Sequence, residues 1–93
     1  MTDPTKPPEL LDPRRKRALY RSAHRGMQET DLLLGSFAQR HIAGLTGEQL
    51  SRFEALLDEG DNDLFNWISG KELPPPNHDH DVLNLLIQFK KSL

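Results

Sequence analysis

Cysteine is absent from the 93 residues. That excludes disulfides, thiol nucleophiles and cysteine metal sites, and it fits a reducing compartment. Long apolar runs are missing as well: none approaches the roughly 20 residues that a membrane span needs, so no membrane insertion is expected. There is no β-branched alternation and no hairpin turn between apolar runs, so strands are not expected. An overall excess of positive charge is lacking, with 12 Lys and Arg against 14 Asp and Glu and a net charge of −2. This argues against general affinity for nucleic acid or for an anionic membrane surface. Hydrophobic residues make up only 35%, so the single domain that this length allows must use its core economically. No serine sits in an elbow-like motif and there is no cysteine, so the chain lacks a credible nucleophilic or acid–base set. An enzyme is therefore not expected.

The N-terminal stretch MTDPTKPPELLDP has no apolar signal segment, and Asp3, Glu9 and Asp12 set it apart from acid-poor organelle presequences. Pro4, Pro7 and Pro8 oppose a helix there. Residues 1–12 are accordingly expected to be a disordered proline-rich tail, mobile through about residue 11, with one domain over 13–93. The simplest location on these grounds is a bacterial cytoplasm.

What the chain does have is helix punctuation. Asp12 followed by Pro13 reads as an N-cap with proline in the first turn, and Gly26 closes that helix. A second helix spans about Met27 to Ala43, with apolar residues at 33, 34, 37, 38 and 42; Gly35 inside it implies a close neighbour. Thr46 and Gln49 form a capping box, and Leu45 and Leu50 sit where a hydrophobic staple would close. Leu50, Phe53 and Leu57 then recur at helical spacing up to Gly60. Asp61 is expected to cap a short fourth helix with Leu64, Phe65 and Ile68 inward, ended by Gly70. Trp67 is expected mainly to pack, rotated toward the edge. Pro74 to Pro76 make a stiff connector, and Asn77 or Asp79 begins a fifth helix whose face is Val82, Leu83, Leu86 and Phe89. The expected fold is all-α, a single five-helix bundle.

Six of the twelve basic residues fall between Arg14 and Arg25, and no acid occurs from Pro13 to Gln28. At 100° per residue, Arg14, Arg17, Arg21 and Arg25 line one edge of the first helix, with Tyr20 and His24 beside them and Leu19 and Ala23 left for the core. Like charges at this spacing repel. The edge is either a solvated face or a surface awaiting a partner with negative groups. At the junction, Gly26 is expected to turn with positive φ, Arg25 offers a planar fork suited to a carboxylate, and Glu29 is favoured by the dipole of the second helix. Two readings stay open: an ordinary corner with an internal Arg–Glu pair, or an outward-facing docking site.

The segments RSAH and RGMQE, then DLLLGSFA and DLFNW, together resemble the small assembly factors that promote covalent attachment of FAD to the flavoprotein subunit of succinate dehydrogenase. The likeness runs from about Arg14 to Lys91. It implies a five-helix bundle and places the family's RG-x-x-E motif at Arg25, Gly26 and Glu29, the surface that docks on the flavoprotein subunit. Arg17, Tyr20, Arg21 and His24 would share that surface. Gln28, where many members carry a basic residue, and Thr30, where an apolar residue is common, depart from the pattern. The resemblance implies a helper rather than a catalyst: a histidine of the subunit bonds to the flavin, and the chain keeps the two aligned. A drug-sized ligand already needs about 300–1,000 Å³ of mostly apolar cavity, and five short helices leave no evident room for FAD. The cofactor is therefore expected in the partner, with none held stably by the chain itself and the chain a monomer when free. The related fumarate reductase subunit stays open as a second client.

Two weaker patterns carry alternatives. His78, Asp79, His80 and Asp81 have metal-ligand character, but the start of a helix, with Asp79 as its cap, explains them better. Asp58, Glu59, Asp61 and Asp63 read as solvated cap residues. The alternative function is a small helical nucleic-acid binder that sets the Arg14–Arg25 stripe against phosphates. Against it, nine of the fourteen acids lie between Glu48 and Asp81 and no recognition helix is apparent.

Overall fold

Asp12 adopts an extended backbone, and its side chain accepts the Arg15 N–H at 3.3 Å, so the first helix starts where an acid and a proline meet. In a computed structural model describing residues 10–93, five α-helices follow: α1 (Pro13–Ala23), α2 (Gln28–His41), α3 (Gly47–Leu57), α4 (Asp61–Ser69) and α5 (Asp81–Lys91). A 3-10 turn (Ile42–Gly44) extends α2, and another (Pro76–His78) precedes α5. No strand occurs among the described residues, as the absence of β patterning implied.

Most of the expected tail, residues 1–9, lies outside the described residues. Of the remainder, Leu11 is 6% exposed within the core and Asp12 caps α1. The ordered body thus begins before Pro13, because Leu11 gains more by burial than the short segment loses in freedom.

The core takes Leu33, Leu34, Phe37, Ala38 and Ile42 from α2 and its extension, Leu50, Phe53, Leu56 and Leu57 from α3, and Val82, Leu83 and Leu86 from α5. Phe37 is central, its ring 5.6 Å from Phe53 and 5.7 Å edge-on from Phe89. Each such buried Leu or Phe side chain contributes roughly 1.5–3 kcal/mol of transfer free energy. The Thr46–Gln49 capping box forms in both directions, with both bonds close to 3 Å, and Leu45 and Leu50 are buried beside it.

Several expectations need correction. On α1 the buried residues are Ala18 and Ser22, whose hydroxyl donates to the Ala18 carbonyl at 2.7 Å. Leu19 is only half-buried and Ala23 is exposed. The helix is rolled because its small residues let it approach α2 closely: a Cβ built at Gly35 would sit 3.4 Å from the Ala23 Cα and Cβ. On α4, Leu64, Trp67 and Ile68 are buried, Trp67 packing as expected, while Phe65, expected inward, is half-exposed. Asp61 is not the cap; extended Gly60 is, and the Asp61 carboxylate is engaged elsewhere. Before α5, His80 caps instead of Asp79, its Nδ1 accepting the Leu83 N–H at 3.2 Å. The 3-10 turn uses up Asp79, and His80 is the first residue extended enough to cap.

Candidate functional site: the α1–α2 corner

The basic edge of α1 is compensated across the bundle. Arg14 pairs with Glu54 of α3 at 2.7 Å and also donates to Ser51. Arg15 pairs with Asp12 at 3.0 Å and donates to the Ile42 and Leu45 carbonyls. Arg21 meets Asp58 at 2.6 Å, just past the end of α3. The helix N-cap acid and two acids 37 and 40 residues away in sequence thus relieve the repulsion that no acid within the helix could. Three of the four acids read as solvated caps are in fact engaged: Asp58 with Arg21, Glu59 with His78 at 2.7 Å, and Asp61 with Arg25. Among the described residues, no ion pair involves Lys16 or Arg17, both exposed. A continuous stripe free for phosphates does not exist.

Arg25 is the largest departure from expectation. Its side chain is 11% exposed and points into the bend between α3 and α4. Nε meets the Asp61 carboxylate, Nη1 donates to the Leu57 carbonyl at 2.9 Å, and Nη2 donates to the Glu59 carbonyl. The Leu57 carbonyl ends α3 with no helical donor ahead of it, and the Glu59 carbonyl lies in the bend that follows. The Arg25 main-chain N–H donates to Asp31 Oδ1 at 2.6 Å. The outward-facing arginine expected from the sequence is therefore wrong, and so is an internal Arg–Glu pair: the partner is Asp61. Burial alone would raise the Asp61 pKa, but the hydrogen bond and the charge of Arg25 bring it below the usual carboxylate value.

The rest of the corner faces outward. Gly26 and Glu29 are exposed. Gly26 does not take positive φ, which among the described residues occurs only at Gly70. Nor is glycine required there for space, since a Cβ would lie at an ordinary contact distance of 3.8 Å from Asp61 Oδ2. Tyr20, 64% exposed, stacks on His24 with ring centroids 3.9 Å apart, and the His24 Nδ1 lies 2.9 Å from the Tyr20 carbonyl. Tyr20, Arg21, His24, Arg25, Gly26 and Asp61 border a shallow cleft of about 250 Å³. Glu29 opens onto a different one of about 440 Å³, which includes Leu32, Leu33, Phe65 and Lys90. Arg25 lies beneath the surface, at the floor of the first cleft and not of the second. Leu32, 63% exposed and not singled out in the sequence, and Phe65, expected inward, belong to this surface, because helical periodicity marks what is inward and not what a second surface uses.

The His78–Asp81 stretch serves structure. His78 is buried against Trp67, ring centroids 5.4 Å apart, and His80 caps α5. Among the described residues no group of three or more His, Asp or Glu is arranged to hold a metal ion. No helix of the described residues is long and apolar enough to cross a membrane.

In class, this is a small all-α protein whose charged residues mostly brace its own helices, leaving one corner and its flanking clefts as polar and apolar surface. The chain belongs to the family described as flavinator of succinate dehydrogenase, whose model matches residues 16–90. It is 35% identical over 91 residues to succinate dehydrogenase assembly factor 2-B, mitochondrial, of Drosophila melanogaster, covering 96% of this chain and 58% of the fly protein. It is 49% identical over 72 residues to succinate dehydrogenase assembly factor 2, mitochondrial, of Dictyostelium discoideum, covering 77% of this chain and 51% of that protein. The chain thus spans little more than half the length of these relatives. Their names overturn the bacterial cytoplasmic location expected from the sequence, since both are mitochondrial proteins of eukaryotes.

Proposed function

We propose that the chain binds the flavoprotein subunit of succinate dehydrogenase through the α1–α2 corner and promotes covalent attachment of FAD to it. The observation that carries this reading is the family match, which runs unbroken through the corner and includes Gly26 and Glu29, both exposed. Arg17, Tyr20, Arg21 and His24 extend the same face, and the stacked Tyr20–His24 pair offers a rigid aromatic contact with little ordering entropy left to lose. In this reading FAD stays in the partner, the chain supplies no catalytic group, and it is a monomer until it docks. With FAD bound in the subunit, a histidine there would join the ring's methyl carbon as that carbon loses a proton, the electron-withdrawing flavin itself taking up the electron pair. The chain holds the subunit so that the two groups remain aligned, an effect of orientation. The closely filled interior, with Leu34, Phe37, Phe53, Leu56 and Leu86 all sealed from solvent, supports placing the flavin outside it.

Co-expression of the flavoprotein subunit with the Glu29→Ala chain tests this. Glu29 is exposed, so its loss alters folding by no more than the ~0.3–1 kcal/mol of a first-turn carboxylate. Flavin fluorescence of the subunit in a denaturing gel is expected to fall severalfold. Unchanged fluorescence with Glu29→Ala and with Tyr20→Ala would remove the corner from the docking surface.

A further inference from the structure

We infer that Asp61 is a positioning residue for docking: it clamps Arg25 beneath the corner and so fixes the shape in which Gly26 to Glu29 meet the partner. This rests on the docking role proposed above and goes beyond it, because it places the arginine of the motif behind the surface and names the residue on which that arginine depends.

Two carboxylates approach Arg25 from opposite sides. Asp31, in the first turn of α2, takes its main-chain N–H. Asp61, the first residue of α4, takes its Nε, while the remaining guanidinium nitrogens reach the Leu57 and Glu59 carbonyls. A planar fork met on three edges has one orientation. At 11% exposure it offers little of itself to another polypeptide. The far end of the segment is tied down as well, since Thr30 is fully buried and its hydroxyl donates to the Met27 carbonyl at 2.9 Å. Between these anchors Gly26 runs alongside Asp61. Residues 26 to 29, exposed except for half-buried Met27, are thus held at both ends, and the Asp61 side chain is one of the groups that fix the Arg25 end. Removing Asp61 frees the guanidinium to swing into the cleft bordered by Tyr20 and His24 and loosens the loop without touching any exposed side chain.

Binding of the purified flavoprotein subunit to the 93-residue chain, measured at a temperature where circular dichroism shows each variant folded, separates positioning from plain stabilisation. Asp61→Ala is expected to raise Kd about tenfold, and Asp61→Asn, which keeps an acceptor for Nε, to stay within about threefold of the wild type. Arg25→Ala combined with Asp61→Ala should bind no more than about twofold more weakly than the worse single variant, since both remove one clamp. Asp61→Ser decides the matter if Asp61→Ala does not fold. Wild-type Kd for folded Asp61→Ala or Asp61→Ser, with Arg25→Ala impaired, would mean that Arg25 itself touches the partner and would overturn the inference while sparing the docking site. Wild-type Kd for Glu29→Ala and Tyr20→Ala as well would overturn the docking site too.

Discussion

Between α1 and α2 the chain reverses in four residues, 24 to 27, whereas between α4 and α5 it takes eleven, 70 to 80. The short bend contains nothing that is intrinsically stiff. It is held from outside, by Asp31 on its main chain and by Asp61, Leu57 and Glu59 around one guanidinium. The long connector is held largely by its own backbone and turns, with His78 reaching back to Trp67 and Glu59. Gly70 turns at φ 84°, Pro75 lies in the extended proline region, His78 is buried beside Trp67, and His80 caps the next helix. A bend built from distant partners stays open on its outer side and can present a surface. One built from local stiffness spends its side chains on its own shape.

Breaking the comparison at the short bend should have the largest effect. Arg25→Ala leaves Asp61 unpaired and two carbonyls without donors, and is expected to lower stability by about 2–4 kcal/mol in urea unfolding. A loss below about 1 kcal/mol would show that the external partners do not hold that bend. Next in size is the contrast between two glycines. Gly70→Ala forces a side chain into the left-handed region and should cost about 1–2 kcal/mol. Gly26→Ala, with negative φ and ordinary contact distance to Asp61, should change stability by less than about 0.5 kcal/mol, so equal losses at the two sites would erase the distinction.

The smallest effect concerns acid. Burial, with some help from the charges of His78 and Arg52 and opposed by Asp81, lowers the pKa of His80 below its usual 6.5, and the fold therefore favours the neutral ring that caps α5. Its contribution is complete above about pH 6.5 and is lost as pH falls through the lowered value. His41, lowered by burial and by Arg40, acts with the same sign. Tm should drop by a few degrees on going from pH 8 to pH 5, and His80→Asn, which caps without titrating, should remove part of that drop. An unchanged slope in the variant would mean that His80 stays out of the titration.

Local rules carried most of the fold. Asp12–Pro13, Thr46–Gln49 and Gly70 each act within a few residues, so their meaning could be read in place, and the 3.6-residue period located nearly all of the core of α2, α3 and α5. The corner was legible in its residues but not in its wiring. Nothing near Arg25 in sequence distinguishes Glu29, four residues on, from Asp61, thirty-six residues on, as its partner. One signal was present: a helix with no acid, in a domain whose acids gather around Asp58 to Asp63, has to meet that cluster in space. The roll of α1 and the choice of His80 over Asp79 depend on packing and on the 3-10 turn, neither of which a periodic pattern records.

Gly35 acts on the corner from a distance. A methyl group there would sit 3.4 Å from the Ala23 Cα and Cβ, at the near limit of ordinary contact. A larger side chain there would turn α1 into a lever, pivoting at Ala23 along roughly 16 Å of helix. The far end would move most, drawing Arg14 away from Glu54 and Arg15 from the Leu45 carbonyl before any apolar contact opened. A position that carries no charge and no side chain thereby governs whether the positive helix and its acidic counterpart stay in register.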